Sequence, residues 1–403
     1  NVHIITGGPG TGKTTIIKFI LNTFLNYGLK TIMVAPTGRA AKRMMETTGF
    51  EAKTIHRVLE ISSSEDEEFD FVSKSEKNII KCDAIIIDEA SMIDVLIGSK
   101  LFNSLGIGTK VIIVGDVDQL PSVGPGNFLK DIINSGIFKV SRLNRIYRQK
   151  ESSYIVLNAH KINNGEELIV NKKDGDFYIL RDNNQESIVK TLNEIVTFRI
   201  PKFFSNEIDK LKDIQVLSPV RKGVNNLNLM FQENLNPKTC SNKEIFHSGI
   251  CYRVGDKVMQ IKNNYELSGY YLNSSKSVKG VFNGDIGYIR SVSSKQIEVI
   301  YDESKVFKYE RHNLNELEHA YAITIHKSQG SEFPIVVMPI FKFSSILMNR
   351  NILYTAVTRA KKYLVLVGDY NALMYMVKNN SCVVRYSSLG YLFREIINLA
   401  DKN

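Results

Sequence analysis

The chain has 403 residues, a formal net charge of +10 and a 43% share of hydrophobic residues. At roughly 100–200 residues per domain, this length predicts two or three domains, and the apolar share excludes a disordered chain. No run approaches the roughly 18 apolar residues of a membrane span, so we expect no membrane contact. The positive charge favours a polyanionic partner such as nucleic acid, although ordinary surface charge explains it as well.

The four cysteines are scattered and form neither a CxxC pair nor a group with histidine at ligand spacing; they are Cys82, Cys240, Cys251 and Cys382. This distribution argues against a zinc site or a disulfide framework and favours a reducing, cytoplasmic setting. The N-terminus has no signal-peptide pattern. Because residue 1 lies almost on a predicted core strand, we expect the sequence to be a piece of a longer chain.

The first part of the chain alternates apolar strands with helices. A helix is predicted from about Thr14 to Tyr27, and Gly28 follows it as a C-terminal stop. Continuous apolar strands of this kind indicate a parallel sheet that is covered on both faces. The predicted strands are Val2–Ile5, Thr31–Ala35, Ala84–Ile87 and Val111–Val114.

A second α/β region follows, and it is interrupted by alternating strands that resemble a small barrel. We interpret Asn283 and Gly284 as a hairpin turn inside that module. The later strands are predicted at Gln215–Pro219, Ile335–Pro339 and Tyr363–Gly368, and those of the module at Val254–Ile261, Phe282–Val292 and Ile297–Tyr301. The predicted domains are 1–150 with a short hairpin at about 59–81, 151–249 with 315–403, and the inserted module 250–314.

A phosphate-binding loop is predicted at Gly7–Thr14, which matches G-x-x-x-x-G-K-[ST] between a strand and a helix. Its backbone amides and the helix N-terminus attract phosphate, and Lys13 should reach the β- and γ-phosphates. The hydroxyl of Thr14 is expected to bind Mg²⁺. The residues expected to bind ATP are Gly8, Pro9, Gly10, Thr11, Gly12, Lys13, Thr14 and Thr15.

Two further strand ends carry polar residues that suit nucleotide hydrolysis. Asp88 is expected to hold Mg²⁺ and Glu89 to activate the attacking water, although adjacent carboxylates can also be a solvated cap. Gln119 is expected to sense the γ-phosphate or the water. Asp116 beside it has the alternative role of a turn former.

The order of several motifs resembles that of superfamily 1 helicases. They are GGPGTGKTT, APTGRAAKRM, IIIDEASM, GDVDQLPSVGPG, LNRIYRQ, YAITIHKSQGSEF and LYTAVTRAKKYLVLVG. APTGRAAKRM, TIHR, LSPVRKGVNNLNLMFQENLNP and VFNGDIGYI resemble RecD-like proteins in particular. The resemblance implies an α/β fold of two RecA-like parallel-sheet motor domains, with a small hairpin in the first and an SH3-like β-barrel inserted in the second.

The same resemblance assigns roles to residues at matching motif positions. Arg148 and Arg359 are similar to arginine fingers, which stabilise charge on the γ-phosphoryl group, whereas either alone would more commonly be a surface ion pair. Glu332 is similar to a residue that contacts the ribose. The expected contacts to DNA are Pro36, Thr37, Arg39, Thr54, His56, Thr324, His326 and Lys327. The two histidines have a purely structural alternative, and Tyr252, Tyr265, Tyr270 and Tyr271 fit barrel packing better than base stacking.

The resemblance therefore implies an ATP-dependent DNA helicase of recombination or repair that moves 5′→3′ along single-stranded DNA. Its expected partners are single-stranded DNA, single-strand/duplex junctions and a recombination or repair complex, with the motor itself monomeric. One alternative is the helicase half of a conjugative relaxase. Another is a nucleotide-switched binding module. The complete set of catalytic residues argues against it, because a switch that does not hydrolyse ATP for movement could dispense with Glu89 or with one of the arginines.

Overall fold

The computed structural model describes residues 1–59, 79–145, 153–205, 207–239, 243–274, 276–344, 347–381, 385 and 387–400, the last five without their side chains. It divides into two compact units, residues 1–164 with 381–403 and residues 165–380. The predicted hairpin at 59–81 falls almost entirely outside the described residues. Among the described residues, none of the helices combines the length and apolar composition that a membrane crossing requires.

The strands, in chain order, are β1 Val2–Gly7, β2 Thr31–Ala35, β3 Ala52–Thr54, β4 Ala84–Ile87, β5 Lys110–Gly115, β6 Lys139–Leu143, β7 Phe177–Arg181, β8 Ile214–Ser218, β9 Glu244–His247, β10 Ile250–Arg253, β11 Lys257–Gln260, β12 Asn264–Tyr271, β13 Ser277–Val281, β14 Ile286–Val292, β15 Gln296–Tyr301, β16 Lys305–Glu310, β17 Leu317–His319, β18 Ala322–Thr324, β19 Phe333–Ile340 and β20 Ala360–Gly368. The helices are α1 Lys13–Asn26, α2 Gly38–Thr48, α3 Ile55–Val58, α4 Val95–Asn103, α5 Phe128–Asn134, α6 Tyr154–Asn164, α7 Gln185–Glu194, α8 Ile200–Phe203, α9 Val224–Leu235, α10 Arg350–Val357, α11 Tyr370–Lys378 and α12 Leu389–Ala400.

The first unit is built on a parallel six-stranded sheet with the order β3-β2-β4-β5-β1-β6. Strand β4 has the sequence AIII and is buried along its whole length, because apolar side chains cover both faces of the sheet. Helices α1 and α2 pack on one face and α4 and α5 on the other. The parallel sheet predicted from the apolar strands is therefore confirmed.

Helix α1 ends as the sequence predicted. Gly28 has φ +71°, its amide donates to the carbonyl of Leu25, and the amide of Leu29 donates to that of Phe24. Glycine adopts this left-handed conformation without strain, and the two bonds satisfy carbonyls that the helix end leaves open. The chain is thus turned back into β2.

The second unit contains a parallel five-stranded sheet with the order β18-β8-β19-β20-β7. Between α9 and β18 the chain forms an antiparallel seven-stranded sheet with the order β13-β12-β16-β15-β14-β11-β17. Its apolar core includes Tyr252, which is fully buried and donates to the carbonyl of Leu317. An α/β fold with an inserted all-β region is therefore what the structure contains.

One strand prediction and one turn prediction inside the β region were wrong. The run Val254–Ile261 is broken because Gly255 turns at φ +92° and Asp256 is buried, so that β11 begins only at Lys257. Asn283 and Gly284 lie in a turn, in which the carboxylate of Asp285 accepts the amide of Phe282. That turn is not a hairpin, since β13 pairs with β12 while β14 pairs with β11 and β15.

The two units differ from the predicted domains at two bounds. The first unit extends to Asn164 rather than to residue 150, because α6 buries apolar side chains there and Asn163 donates to Asp118 at 2.9 Å. Residues 381–403 belong to the first unit and not to the second. In α12 the ring of Phe393 packs edge-on against Phe138 at 5.3 Å between centroids, which attaches the end of the described chain to the first unit.

Candidate active site

The predicted nucleotide residues of the first unit follow three neighbouring strands. Strands β4, β5 and β1 are adjacent and parallel, so the loops after them meet at one edge of the sheet. The close packing there is visible at Gly115, where a Cβ atom would lie 3.2 Å from the amide nitrogen of Ala90. The phosphate loop, the Asp88–Glu89 pair and the Gln119 turn are therefore brought to the same edge.

The phosphate loop connects β1 to α1 through two left-handed glycines, Gly10 at φ +74° and Gly12 at φ +85°. No side chain caps the N-terminus of α1. The Nζ of Lys13 folds back and donates to the carbonyls of Gly7 and Gly8 at 2.6 and 3.0 Å. The loop thus presents a helix N-terminus to an anion and holds its lysine on weak, neutral acceptors.

Asp88 and Glu89 follow β4 directly. Glu89 takes the left-handed conformation at φ +52°, which costs a non-glycine residue energy, and its amide donates to Asp88 at 2.8 Å. Burial and the charge of Glu89 raise the pKa of Asp88 to about 6, although Lys13 and Arg43 act in the opposite direction. The edge therefore carries a desolvated carboxylate that a cation would stabilise.

Gln119 lies in a buried turn after β5. Its amide nitrogen donates to Asp116 at 3.1 Å, and Asp116 also accepts the backbone amide of Asp118 at 3.1 Å. Asp116 thus shapes the turn and holds Gln119 at the same time. Burial, followed by the charge of Asp116, raises the pKa of Asp118, whose carboxylate accepts from Asn163 of α6.

The expected DNA contacts of the first unit follow β2 and β3, which are also adjacent. Thr37 and Thr54 cap α2 and α3 by accepting the amides of Ala40 and Arg57. A hydroxyl that accepts in this way can also donate its own hydrogen to a phosphate oxygen. Burial is the main cause that lowers the pKa of His56, so this ring is neutral near pH 7. Pro36 and Arg39 lie in the same segment, at the start of α2.

The expected DNA contacts of the second unit form a short turn after β18. Thr324 accepts the backbone amide of Lys327 at 3.3 Å, and burial lowers the pKa of His326. The Nζ of Lys327 donates to the carboxylate of Glu318 at 2.5 Å. This lysine is therefore held by a charged acceptor that the sequence did not predict.

The remaining nucleotide candidates of the second unit have partners of their own. Arg359 is buried and donates to the carbonyls of Thr355 and Ser331 at 3.2 and 3.0 Å. Glu332 forms an ion pair with Lys361 at 3.5 Å. Arg148 lies outside the described residues.

Two arginines near these sites were missed in the sequence. Arg221 lies in the PVRKG segment, shortly after the end of β8. Like Arg39, it is a cation that follows a strand end, and this pattern could have identified it. Arg385 donates to the carbonyls of Gly124 and Gly126 at 2.7 and 3.0 Å. No sequence pattern pointed to that contact, because it joins residues more than 250 positions apart.

Three family models match separate parts of the chain. They are an AAA domain over residues 1–125, an ATP-dependent RecD-like DNA helicase SH3 domain over residues 227–302, and a UvrD-like helicase C-terminal domain over residues 319–367. The SH3 match coincides with most of the antiparallel sheet, and the other two coincide with parts of the parallel sheets.

Curated relatives match along nearly the whole chain. An uncharacterized protein of Methanocaldococcus jannaschii is 31% identical over 95% of this chain and 38% of its own length. The ATP-dependent RecD2 DNA helicase of Deinococcus radiodurans is 28% identical over 92% of this chain and 47% of its own length. The chain thus spans less than half the length of these two relatives.

Solved structures agree in fold. Pif1 helicase from Bacteroides, in complex with ADP-AlF3 and single-stranded DNA, matches with a TM-score of 0.56 and 20% identity over 99% of this chain and 94% of that one. Pif1 helicase from Candida albicans matches with a TM-score of 0.53 and 17% identity over 98% and 95%. Together with the order of the motifs, the family models and the relatives confirm the predicted resemblance of this chain to the RecD-like helicases.

Proposed function

We propose that this chain is an ATP-driven motor that moves 5′→3′ along single-stranded DNA and unwinds duplexes in recombination or repair. The observation that carries the proposal is the edge of the first sheet, where a phosphate loop meets a desolvated carboxylate and a buried glutamine. Its partners are single-stranded DNA and single-strand/duplex junctions, and it acts as a monomeric motor within a recombination or repair complex.

The nucleotide is ATP, held by the amides of residues 8–15 and by Lys13. To reach the β- and γ-phosphates, Lys13 exchanges the carbonyls of Gly7 and Gly8 for charged oxygens, which are stronger acceptors. The residues also fit a magnesium ion, since burial raises the pKa of Asp88 and a cation offsets that cost. Thr14 and Asp88 would hold the ion, which neutralises phosphate charge when bound.

Hydrolysis then depends on three kinds of side chain. Glu89 accepts a proton from the attacking water, and Gln119 orients that water from its buried turn. Arg148 and Arg359 stabilise the charge that develops on the γ-phosphoryl group. Arg359 gives up at least part of its bonding to Ser331 and Thr355 in doing so. Glu332 contacts the ribose.

DNA is held without reading of bases. The hydroxyls of Thr37, Thr54 and Thr324 and the ammonium of Lys327 donate to phosphate oxygens, as do His56, His326 and Arg39. Pro36 lies against the DNA backbone beside these donor groups. Alternation of the grip between the two units, driven by the nucleotide cycle, moves the strand.

The test measures ATP hydrolysis by the 403-residue chain with and without single-stranded DNA, and then unwinding of duplexes with a 5′ or a 3′ single-stranded tail. We expect hydrolysis to be stimulated by DNA and unwinding to require the 5′ tail. Equal rates with and without DNA would favour a nucleotide-switched binding module. Unwinding that requires the 3′ tail would contradict the proposed polarity.

A further inference from the structure

Two cationic side chains of the second unit lie around one carboxylate. Glu318 on β17 accepts the Nζ of Lys327 at 2.5 Å, and its other oxygen lies 3.8 Å from the guanidinium of Arg221. The side chain of Arg221 is 85% exposed, whereas those of Glu318 and Lys327 are about one-third exposed. The carboxylate is thus flanked by two cations, one of them directed to solvent.

The two cations are brought together by the parallel sheet. Arg221 follows β8 and Lys327 follows β18, and these strands are neighbours in register from Ala322 opposite Val216 to Thr324 opposite Ser218. The amide of Ile325 continues the pairing by donating to the carbonyl of Ser218 at 3.0 Å. Both loops therefore leave the same edge of the sheet, and Arg221 lies beside the turn that carries Thr324 and His326.

The backbone of Glu318 is held in place by the antiparallel sheet. It lies between Leu317, whose carbonyl accepts the buried hydroxyl of Tyr252, and His319, whose ring lies 3.2 Å from the carboxylate of Asp256. Strand β17 also pairs with β11. The backbone that carries Glu318 is therefore fixed, whereas most of the Arg221 side chain is exposed to solvent.

The stabilising effect of such an ion pair is small, because Arg221 is exposed and water screens its charge. A more specific consequence concerns binding. A single negative group that contacts an ammonium and a guanidinium has the charge and the acceptor oxygens of a phosphodiester. In the absence of nucleic acid, Glu318 satisfies the same two cations that a backbone phosphate would bind.

We propose that Arg221 and Lys327 form a phosphodiester-binding site for single-stranded DNA, and that Glu318 competes with the DNA phosphate for that site. This inference rests on the proposed function, since it adds a contact and a competitor to the same DNA path. When DNA binds, Arg221 and Lys327 exchange the Glu318 carboxylate for a phosphate. The loss of the carboxylate contact lowers the affinity of the site for each phosphate. A motor that must release the strand at every step gains from such an exchange.

The experiment compares Glu318→Gln with Glu310→Gln. Glu310 is an exposed residue of the same antiparallel sheet, 3.6 Å from His312, so its substitution changes the net charge equally without touching either cation. Binding of a fluorescent oligothymidylate is measured by anisotropy over a series of salt concentrations, without nucleotide. Thermal melting followed by circular dichroism monitors folding.

We expect Glu318→Gln to bind the oligonucleotide about three- to tenfold more tightly than the wild type and Glu310→Gln to bind within about twofold of it. The slope of log affinity against log salt should steepen by about 0.7 in Glu318→Gln, because one cation is no longer neutralised. Arg221→Ala should weaken binding more in the Glu318→Gln background than in the wild type. A residue with only a structural role would not produce that non-additivity.

Two results would overturn the inference. One is equal affinity and equal salt slope in Glu318→Gln and Glu310→Gln when both are folded. The other, decisive even if Glu318→Gln fails to fold, is an Arg221→Ala variant that binds as tightly as the wild type. If the wild type binds DNA and these variants do not differ from it, the proposed phosphodiester site and its competition by Glu318 fail, while the proposed function stands. If the wild type neither binds DNA nor is stimulated by it, the proposed function fails with it.

Discussion

Each of the two units places a lysine at the carboxyl edge of a parallel sheet, but the two lysines are held by different partners. Lys13 of the first unit donates to the neutral carbonyls of Gly7 and Gly8. Lys327 of the second unit donates to the charged carboxylate of Glu318. Both lysines are proposed to bind phosphate, so they differ in the hydrogen bonds that each must break when phosphate binds.

Because their partners differ, the two lysines are predicted to bind phosphate with different strength. An ammonium is attracted more strongly to an anionic oxygen than to a neutral carbonyl oxygen, because the full negative charge adds a Coulombic attraction. Lys13 therefore gains when a triphosphate replaces its carbonyls, which suits a ligand that must be held until it reacts. Lys327 only exchanges one charged partner for another, which suits a strand that is released repeatedly.

The largest effect is expected from substitution of Lys13, the lysine whose partners are neutral carbonyls. Lys13→Ala should lower DNA-stimulated ATP hydrolysis by at least about a hundredfold, because a fixed positive group on the transferring phosphoryl is lost. Binding of single-stranded DNA without nucleotide should change little. Steady-state hydrolysis and anisotropy measure the two properties.

Lys18→Ala is the matched control for that variant, since Lys18 is an exposed lysine of the same helix. Its hydrolysis rate should equal that of the wild type. Substantial hydrolysis by Lys13→Ala would mean that the edge of the first sheet is not the site of the reaction, and the contrast between the two lysines would lose its basis.

A second effect, on stability rather than on hydrolysis, is expected from the hydrogen-bond network around Asp256. The buried carboxylate of Asp256 accepts from Gln232, Asn236, the amide of Arg253 and the hydroxyl of Tyr321 at 2.7–2.8 Å. In Asp256→Asn one acceptor oxygen is replaced by an NH2 group, which faces some of these donors and cannot accept from them. We expect this to lower the free energy of unfolding by about 3 kcal/mol. Urea unfolding followed by circular dichroism measures this, with Glu266→Gln on the sheet surface as the control.

The pH dependence of that loss follows from the pKa of Asp256. Burial alone would raise this pKa, but the hydrogen bonds from His319 and the other donors outweigh it, so that the pKa lies below its ordinary value. A depressed carboxyl pKa stabilises the fold above about pH 4, and that contribution is lost as the pH falls through the folded-state value. The gap between the wild type and Asp256→Asn should therefore narrow in acid. A gap that stays constant down to pH 3 would exclude the carboxylate charge as its cause.

The two edges also differ in how far the sequence predicted them. The apolar run of β4 and the glycines of the phosphate loop are local patterns, and both the strand and the parallel sheet were predicted from them. Glu318 carries no local signal, because its role comes from the pairing of β17 with β11 and from its contact with Arg221, nearly a hundred positions away. The break at Gly255 was missed for a different reason: Gly255 and Asp256 are a local turn signal, but the alternating pattern of the segment was given more weight. What the sequence could not predict is the burial of Asp256, which depends on distant donors such as Gln232.

The smallest effect is expected where the end of the described chain meets the first unit. Arg385 donates to the carbonyls of Gly124 and Gly126, a few residues beyond the turn that holds Gln119. Arg385→Ala should cost about 1 kcal/mol in local stability, because two partly buried carbonyls lose a charged donor. Hydrolysis should then fall by less than about fivefold, since a tenfold change corresponds to about 1.4 kcal/mol.

Hydrogen exchange separates this local effect from a general one. In Arg385→Ala the amides of residues 122–127 should exchange faster while those of β4 and β5 remain protected. Arg394→Ala is the matched control, because Arg394 is an exposed residue of α12 whose one hydrogen bond to a described residue is local, to the carbonyl of Gly390. If exchange rises equally in both variants, α12 as a whole stabilises the first unit and Arg385 has no separate effect on the turn. A rise in Arg385→Ala alone, with reduced hydrolysis, would instead make the segment after the second unit a positioning element of the nucleotide site.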